Sequence, residues 1–151
     1  MAEHWIIPCN INLFDVRERF KHINTVVWKN SFTIRAGDTV YIYIGAPISQ
    51  IKYRCTVISD QVDEETLQKN EYAIVKSKGS NYFSKKVKYI QLRCDYEYPD
   101  GCLPLSVLKE NGLGQVQIQA RTDRTLQRYL DEIDKRLGFV DNLVKGRDAH
   151  A

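Results

Sequence analysis

Histidine is scarce in this sequence, and its scarcity argues against several kinds of catalytic site. The 151 residues include three histidines, and two of them, His4 and His150, lie near the ends of the chain. His22 follows a basic stretch typical of a solvated helix face, so no Ser-His-Asp or Cys-His arrangement is indicated. A phosphate-binding glycine loop is lacking too, because Gly112 and Gly114 follow a helix-like segment and precede a strand-like one. We therefore expect a protein that is not an enzyme.

Cysteines are few and widely spaced. The closest two of the four, Cys94 and Cys102, have seven residues between them, whereas a zinc knuckle has about two to four. The segments that flank Cys55 and Cys94 are apolar, which is typical of small buried hydrophobic residues in a reducing compartment. We expect neither a metal nor a cofactor.

Long apolar runs are missing as well. No stretch approaches the roughly eighteen consecutive apolar residues of a membrane span, and the opening MAEHWIIPCN has no basic flank and no long apolar run like those of a secretory signal. Hydrophobic residues make up 43% and charged residues 27% of the chain, values typical of a domain that buries its own core. These features predict a soluble cytoplasmic protein.

The net charge is small but unevenly distributed. There are 22 basic and 19 acidic residues, which gives +3. Residues 76–93 carry no carboxylate, whereas residues 59–67 are acidic. The lysines of the basic stretch are candidates for a phosphate-binding edge: Lys76, Lys78, Lys85, Lys86 and Lys88. A solvated connection between strands would have the same composition, so both interpretations remain open.

Hydrophobic periodicity predicts one domain over residues 1–139 and a loose tail over residues 140–151. Strands are predicted at residues 4–9, 36–47, 50–59, 85–96 and 115–120. Helices are predicted after the first strand, with Asn10 or Asn12 as cap and Leu13, Val16, Phe20 and Ile23 as apolar face, and at residues 63–70, 103–114 and 122–139. Strands joined by hairpins and short helices favour an α+β fold, with an antiparallel or mixed sheet curled into a partial barrel and flanked by helices.

One aromatic residue stands in an unexpected place. Trp28, Lys29 and Asn30 occupy what the pattern predicts to be a polar connection before the turn at Gly37 and Asp38. Nucleobases are recognised by stacking on flat side chains and by hydrogen bonds to their edges, while lysine and arginine position the phosphates. The trio supplies one group for each task, but Trp28 could equally plug the end of the sheet.

Several stretches together resemble a known family. WIIPCN, WKNSFTIRAGDTVYIYIGAP, IKYRCTV and the final QVQIQARTDRTLQRYL are similar to the EVE domain, a member of the PUA-like superfamily related to the YTH readers of methylated adenine. The likeness spans roughly residues 4 to 135. The best-known members carry Lys-Ser-Glu-Pro after the first strand and Arg-Asn in the Trp loop, where this chain has Pro-Cys-Asn and Lys-Asn. It is closest in pattern to bacterial and archaeal EVE domains, some of which recognise DNA in modification-dependent restriction systems.

The resemblance implies a pocket on the concave side of the sheet that accepts one flipped, often modified, base. Pro8, Cys9 and Asn10 would lie on its rim. Trp28, Lys29, Asn30 and Ser31 would form its wall, Tyr43, Gly45 and Ala46 its floor, and Gln117, Gln119 and Arg121 would add polar contacts. Trp5, on the first strand, is expected in the core.

The function that this resemblance implies is the non-catalytic reading of a modified, methylated base, in DNA rather than RNA, in a restriction or defence context. A nuclease or ATPase partner and a monomeric domain are expected with it. An RNA-binding module of the same fold is the first alternative. An enzyme acting on a nucleotide or base, or a protein-protein module, are the others.

Overall fold

The computed structural model describes residues 2–68 and 88–139, which form six strands and four helices. The strands are β1 (His4–Cys9), β2 (Thr25–Asn30), β3 (Thr39–Ile44), β4 (Gln50–Ser59), β5 (Lys88–Glu97) and β6 (Ala120–Arg121). The helices are α1 (Val16–His22), α2 (Glu64–Gln68), α3 (Leu105–Glu110) and α4 (Arg124–Leu137). The predicted tail lies outside the described residues, as do four of the predicted phosphate-binding lysines, Lys76, Lys78, Lys85 and Lys86.

All six strands belong to one mixed sheet, in the order β2-β5-β4-β3-β1-β6. β1 runs parallel to β3, and every other neighbouring pair of these strands is antiparallel. The β3–β4 hairpin, predicted from two alternating apolar runs, is confirmed. So is the predicted mixed sheet.

Each face of the sheet has its own core. On the face that α1 covers, the α1 face, side chains from β1 to β5 pack together with Trp5, which is 3% exposed. The prediction that Trp5 belongs to the core is therefore confirmed. On the opposite face, the α4 face, Tyr41 and Tyr43 pack beneath Leu108 of α3 and Leu126 of α4.

The two edges of the sheet are tied to one another. Gln119 precedes β6 at one edge, and it donates to the carbonyl oxygen of Lys29 (2.6 Å) and accepts from the amide of Ser31 (3.0 Å) at the end of β2, the other edge. The rings of Trp5 and Phe32 stack across the same gap, 6.4 Å apart. The predicted curled partial barrel is confirmed.

Three predicted elements were wrong in detail. Trp28 lies in a strand rather than a loop, because the β-branched run before it pairs with β5 over six residues. α1 begins at Val16, where Asp15 caps it by accepting from two backbone amides, so Leu13 and Ile23 are 53% and 41% exposed instead of packing. Of the strand predicted at residues 115–120, only residue 120 is paired with β1.

α4 closes the fold as predicted. Asp123 caps its first turn by accepting from the Leu126 amide (2.7 Å), and Gly138 ends it in the left-handed region, with φ 79°. Near its carboxyl end, the fully buried Asp134 contacts Arg54 and Tyr98. No helix among residues 2–68 and 88–139 is long and apolar enough to cross a membrane.

Candidate functional site

Trp28 is half-buried on the α1 face of an edge strand. Alternation along β2 places Val26 and Trp28 on this face and Val27 on the other. The Trp28 ring meets the Phe14 ring edge-on, with centroids 5.3 Å apart and planes at 65°. Phe14 is 5% exposed, so it fixes one side of the indole while part of the ring remains accessible.

The gap between β2 and the β1–α1 loop, which we call the seam, is held at both ends. At the start of β2, the Arg19 Nε of α1 donates to the carbonyl oxygen of Thr25 (2.7 Å). At its end, Gln119 binds the backbone on either side of Asn30. Trp28 lies between these two ties. The strand that carries the indole is therefore fixed relative to both α1 and the opposite sheet edge.

The loop that follows β1 is also rigid. The Asn10 carbonyl oxygen accepts from the amides of Leu13 (2.9 Å) and Phe14 (3.0 Å). The Cys9 thiol donates to the Phe14 carbonyl oxygen (3.4 Å), and the Gly45 amide donates to the Cys9 carbonyl oxygen (3.0 Å). Burial raises the pKa of Cys9 to about 12, so the thiol is neutral near pH 7 and is not a nucleophile. The loop therefore holds Phe14 in place beside Trp28.

Not all of the predicted pocket residues come together. Tyr43 is 3% exposed in the core of the α4 face, so the sheet separates it from Trp28, and it does not form the floor of a pocket with that ring. Pro8 alternates with Ile7 and Cys9, which face α1, and thus it points to the α4 side. Lys29 and Ala46 are exposed, and Lys29 alternates with Trp28 and projects from the other face.

Asn30 organises its own loop. Its amide nitrogen donates to the Ile34 carbonyl oxygen (2.9 Å), and its side-chain oxygen accepts from the amides of Phe32 (3.2 Å) and Ile34 (3.4 Å). Arg121 lies over the Trp5 ring at 5.2 Å, on the side of β1 away from β3. Asn30 and Arg121 therefore have structural partners in the positions where the resemblance placed base contacts.

Gln119 provides the first testable prediction. Gln119→Leu is expected to lower the free energy of unfolding by about 1–3 kcal/mol, because it leaves a buried carbonyl group and an amide without partners. Urea denaturation measures this loss. Gln117→Leu, two residues away at an exposed position, is the matched control and is expected to change stability by less than about 0.5 kcal/mol. Equal effects of the two substitutions would contradict the tie between the sheet edges.

A cleft of about 410 Å³ lies beside the end of β2, and we call it the Phe32 cleft. Its walls come from the β2–β3 loop, the segment after β4, and the start of β5. They include Asn30, Phe32, Thr33, Ile34, Arg35, Asp60, Gln61, Val62, Lys88 and Tyr89. Lys88, one of the predicted phosphate-binding lysines, is exposed there. Phe32 and Arg35 were missed by sequence reasoning, although the FTIR stretch follows directly on the Trp-Lys-Asn trio.

Comparison with known proteins identifies the fold. No protein-family model matches the chain, and no curated protein matches its sequence. Among solved structures, the ASCH protein of Zymomonas mobilis is 14% identical, covers 86% of this chain and 94% of its own, and has a TM-score of 0.60. Human THYN1, in complex with DNA containing 5-methylcytosine, is 11% identical over 85% of this chain and 95% of its own, with a TM-score of 0.57.

The chain has a PUA-like fold. A hypothetical protein from Leishmania major shares it, at 14% identity over 91% of this chain and 97% of its own and a TM-score of 0.57. The PUA-like superfamily predicted from the sequence is thus supported, whereas the narrower assignment to the EVE family stays a prediction. At such low identities the likeness concerns the fold and carries no binding residue over to this chain.

Proposed function

We propose that this PUA-like domain is a non-catalytic reader that binds nucleic acid, DNA in preference to RNA, and holds one flipped, methylated base against Trp28. The observation that carries the proposal is the half-buried indole on an edge strand, braced edge-on by Phe14. A ring fixed on one side and accessible on another is a platform on which a base can stack.

The energetics of such a site are balanced. Extruding a base from a duplex costs a few kcal/mol, and stacking on an aromatic side chain returns about 1–3 kcal/mol. Contacts to phosphates supply the remainder in a salt-dependent way. The exposed Lys29 and Lys88, on β2 and at the start of β5, are our candidates for those contacts.

Two further observations favour this function. THYN1, which shares the PUA-like fold, is bound to DNA containing 5-methylcytosine. The Cys9 thiol, placed beside Phe14, has a pKa raised by burial, in keeping with binding rather than covalent chemistry. A restriction or defence context, with a nuclease or ATPase partner and a cytoplasmic location, is proposed on the sequence resemblance alone.

The test is a titration against matched oligonucleotides. Single-stranded and duplex DNA with a central 5-methylcytosine or N6-methyladenine, their unmodified counterparts, and RNA of the same sequence are compared at two salt concentrations. We expect at least tenfold tighter binding of one modified DNA than of its counterpart, and weaker binding of both at higher salt. Equal retention of modified and unmodified strands would overturn the reader, and tighter binding of RNA would favour the RNA-binding alternative.

A further inference from the structure

We propose that the Phe32 cleft holds the nucleotide next to the captured base. This inference rests on the proposed function, since it assigns a second position on the same strand. Phe32 lies four residues after Trp28, so their Cα atoms are at most about 14 Å apart. Both ends of that segment are fixed, by Phe14 at Trp28 and by Trp5 at Phe32. The two aromatic rings can therefore serve neighbouring nucleotides.

Phe32 has the geometry of a stacking platform. Its ring is 45% exposed although it is a large apolar side chain, and it rests on the Trp5 ring at an interplanar angle of 22°. Trp5 in turn is anchored, because its Nε1 donates to the buried Asp38 carboxylate (2.9 Å). The same carboxylate accepts from the Arg35 amide (3.0 Å). The exposed phenyl ring is thus backed by a rigid assembly.

The charge of the cleft suits a phosphate. Arg35 and Lys88 line it and both are exposed. Among the described residues that line it, Asp60 carries the sole carboxylate, and that group accepts from the Ala36 amide (2.9 Å). A volume of about 410 Å³ falls within the range of small-ligand sites. A flat ring beside two cations is the combination that binds single-stranded nucleic acid.

The cleft should not read sequence. Asn30 is its amide side chain nearest the seam, and both ends of that amide are engaged within the β2–β3 loop. What the cleft offers is a ring face and positive charge, which every nucleotide can use. It should therefore add affinity without base preference, while the choice of base rests with the Trp28 position.

The experiment couples a protein change to a DNA change. The probe is a five-nucleotide single strand whose centre carries the methylated base that the wild-type protein prefers, with an abasic residue at either flanking position in turn. We expect one abasic probe to bind the wild type about tenfold more weakly, Phe32→Ala to bind the intact probe about tenfold more weakly, and the combination to show no further loss. Arg35→Ala should reduce the salt dependence of binding.

Controls separate folding from binding. Phe32→Leu keeps an apolar side chain over Trp5 but removes the π face, so it should lose binding while its melting temperature stays near that of the wild type. Ile23→Ala and Arg128→Ala, at exposed positions on other elements, should bind like the wild type. Independent losses from Phe32→Ala and from each abasic site would overturn the cleft alone. Failure of the wild type to prefer any methylated strand would overturn the proposed function instead.

Discussion

Asp134→Asn is expected to lower the free energy of unfolding by about 3–5 kcal/mol, the cost of breaking a buried ion pair. Asp134 is fully buried on α4, where it pairs with Arg54 of β4 and accepts from the Tyr98 hydroxyl (2.5 Å). Arg54 lies between the Tyr41 and Tyr96 rings, 5.6 and 5.8 Å from their centroids. Without the carboxylate, the guanidinium remains in this enclosed site with its charge uncompensated.

The control for Asp134 lies on the same helix. Glu132 pairs with Arg136 one turn away, with side chains 56% and 68% exposed, and Glu132→Gln should cost no more than about 0.5 kcal/mol. Urea denaturation at pH 7 compares the two variants. A double variant, Arg54→Met with Asp134→Leu, should be more stable than Asp134→Asn because no charge is left buried. A loss below about 1 kcal/mol for Asp134→Asn would contradict the role of this pair in docking α4.

Trp28→Ala is expected to weaken binding of the preferred methylated DNA by about 5- to 150-fold, which corresponds to the roughly 1–3 kcal/mol of one stacking contact. The preference for the methylated over the unmodified strand should fall with it, because the base no longer meets the indole. Fluorescence anisotropy with both strands measures this. Since the ring also packs on Phe14, some loss of stability accompanies the change.

Two further variants isolate the stacking role. Trp28→Leu retains apolar contact with Phe14 but offers no flat surface, so it should be better folded than Trp28→Ala and bind equally poorly. Tyr129→Ala, which removes a half-buried aromatic ring from the α4 face, should leave binding unchanged. If Trp28→Ala unfolds the domain while residual protein keeps its preference for the methylated strand, the indole is structural and the proposed pocket is wrong.

The fold was largely predictable from the sequence because its signals are local. The β3–β4 hairpin and α4 have strict periodicity and clear caps, and both formed as expected. β2 was missed because its pattern is short and ends in Trp-Lys-Asn, polar residues typical of a connection. What makes it a strand is pairing with β5, about sixty residues later in the chain, and such a partner is not visible in a local window.

The site was less predictable, because it depends on which face each side chain takes. Tyr43 has the composition of a pocket residue, yet the register of β3 turns it toward α4. Gln119 was expected to contact a base and instead joins the sheet edges. Phe14 and Phe32 were missed because each acts through a ring brought to it by the fold. A one-residue shift in register decides such roles, and a sequence alone does not specify it.

The position of β1 imposes a schedule on the making of this protein. β1 is first in the chain, yet one of its neighbours is β6, through pairs such as Trp5 with Arg121. A nascent chain therefore emerges from the ribosome with one border of β1 unpaired, and that border stays adhesive until residue 121 has been translated. Completion of the sheet is thus a late, long-range event, and a chain cut short before Ala120 would keep the sticky border permanently.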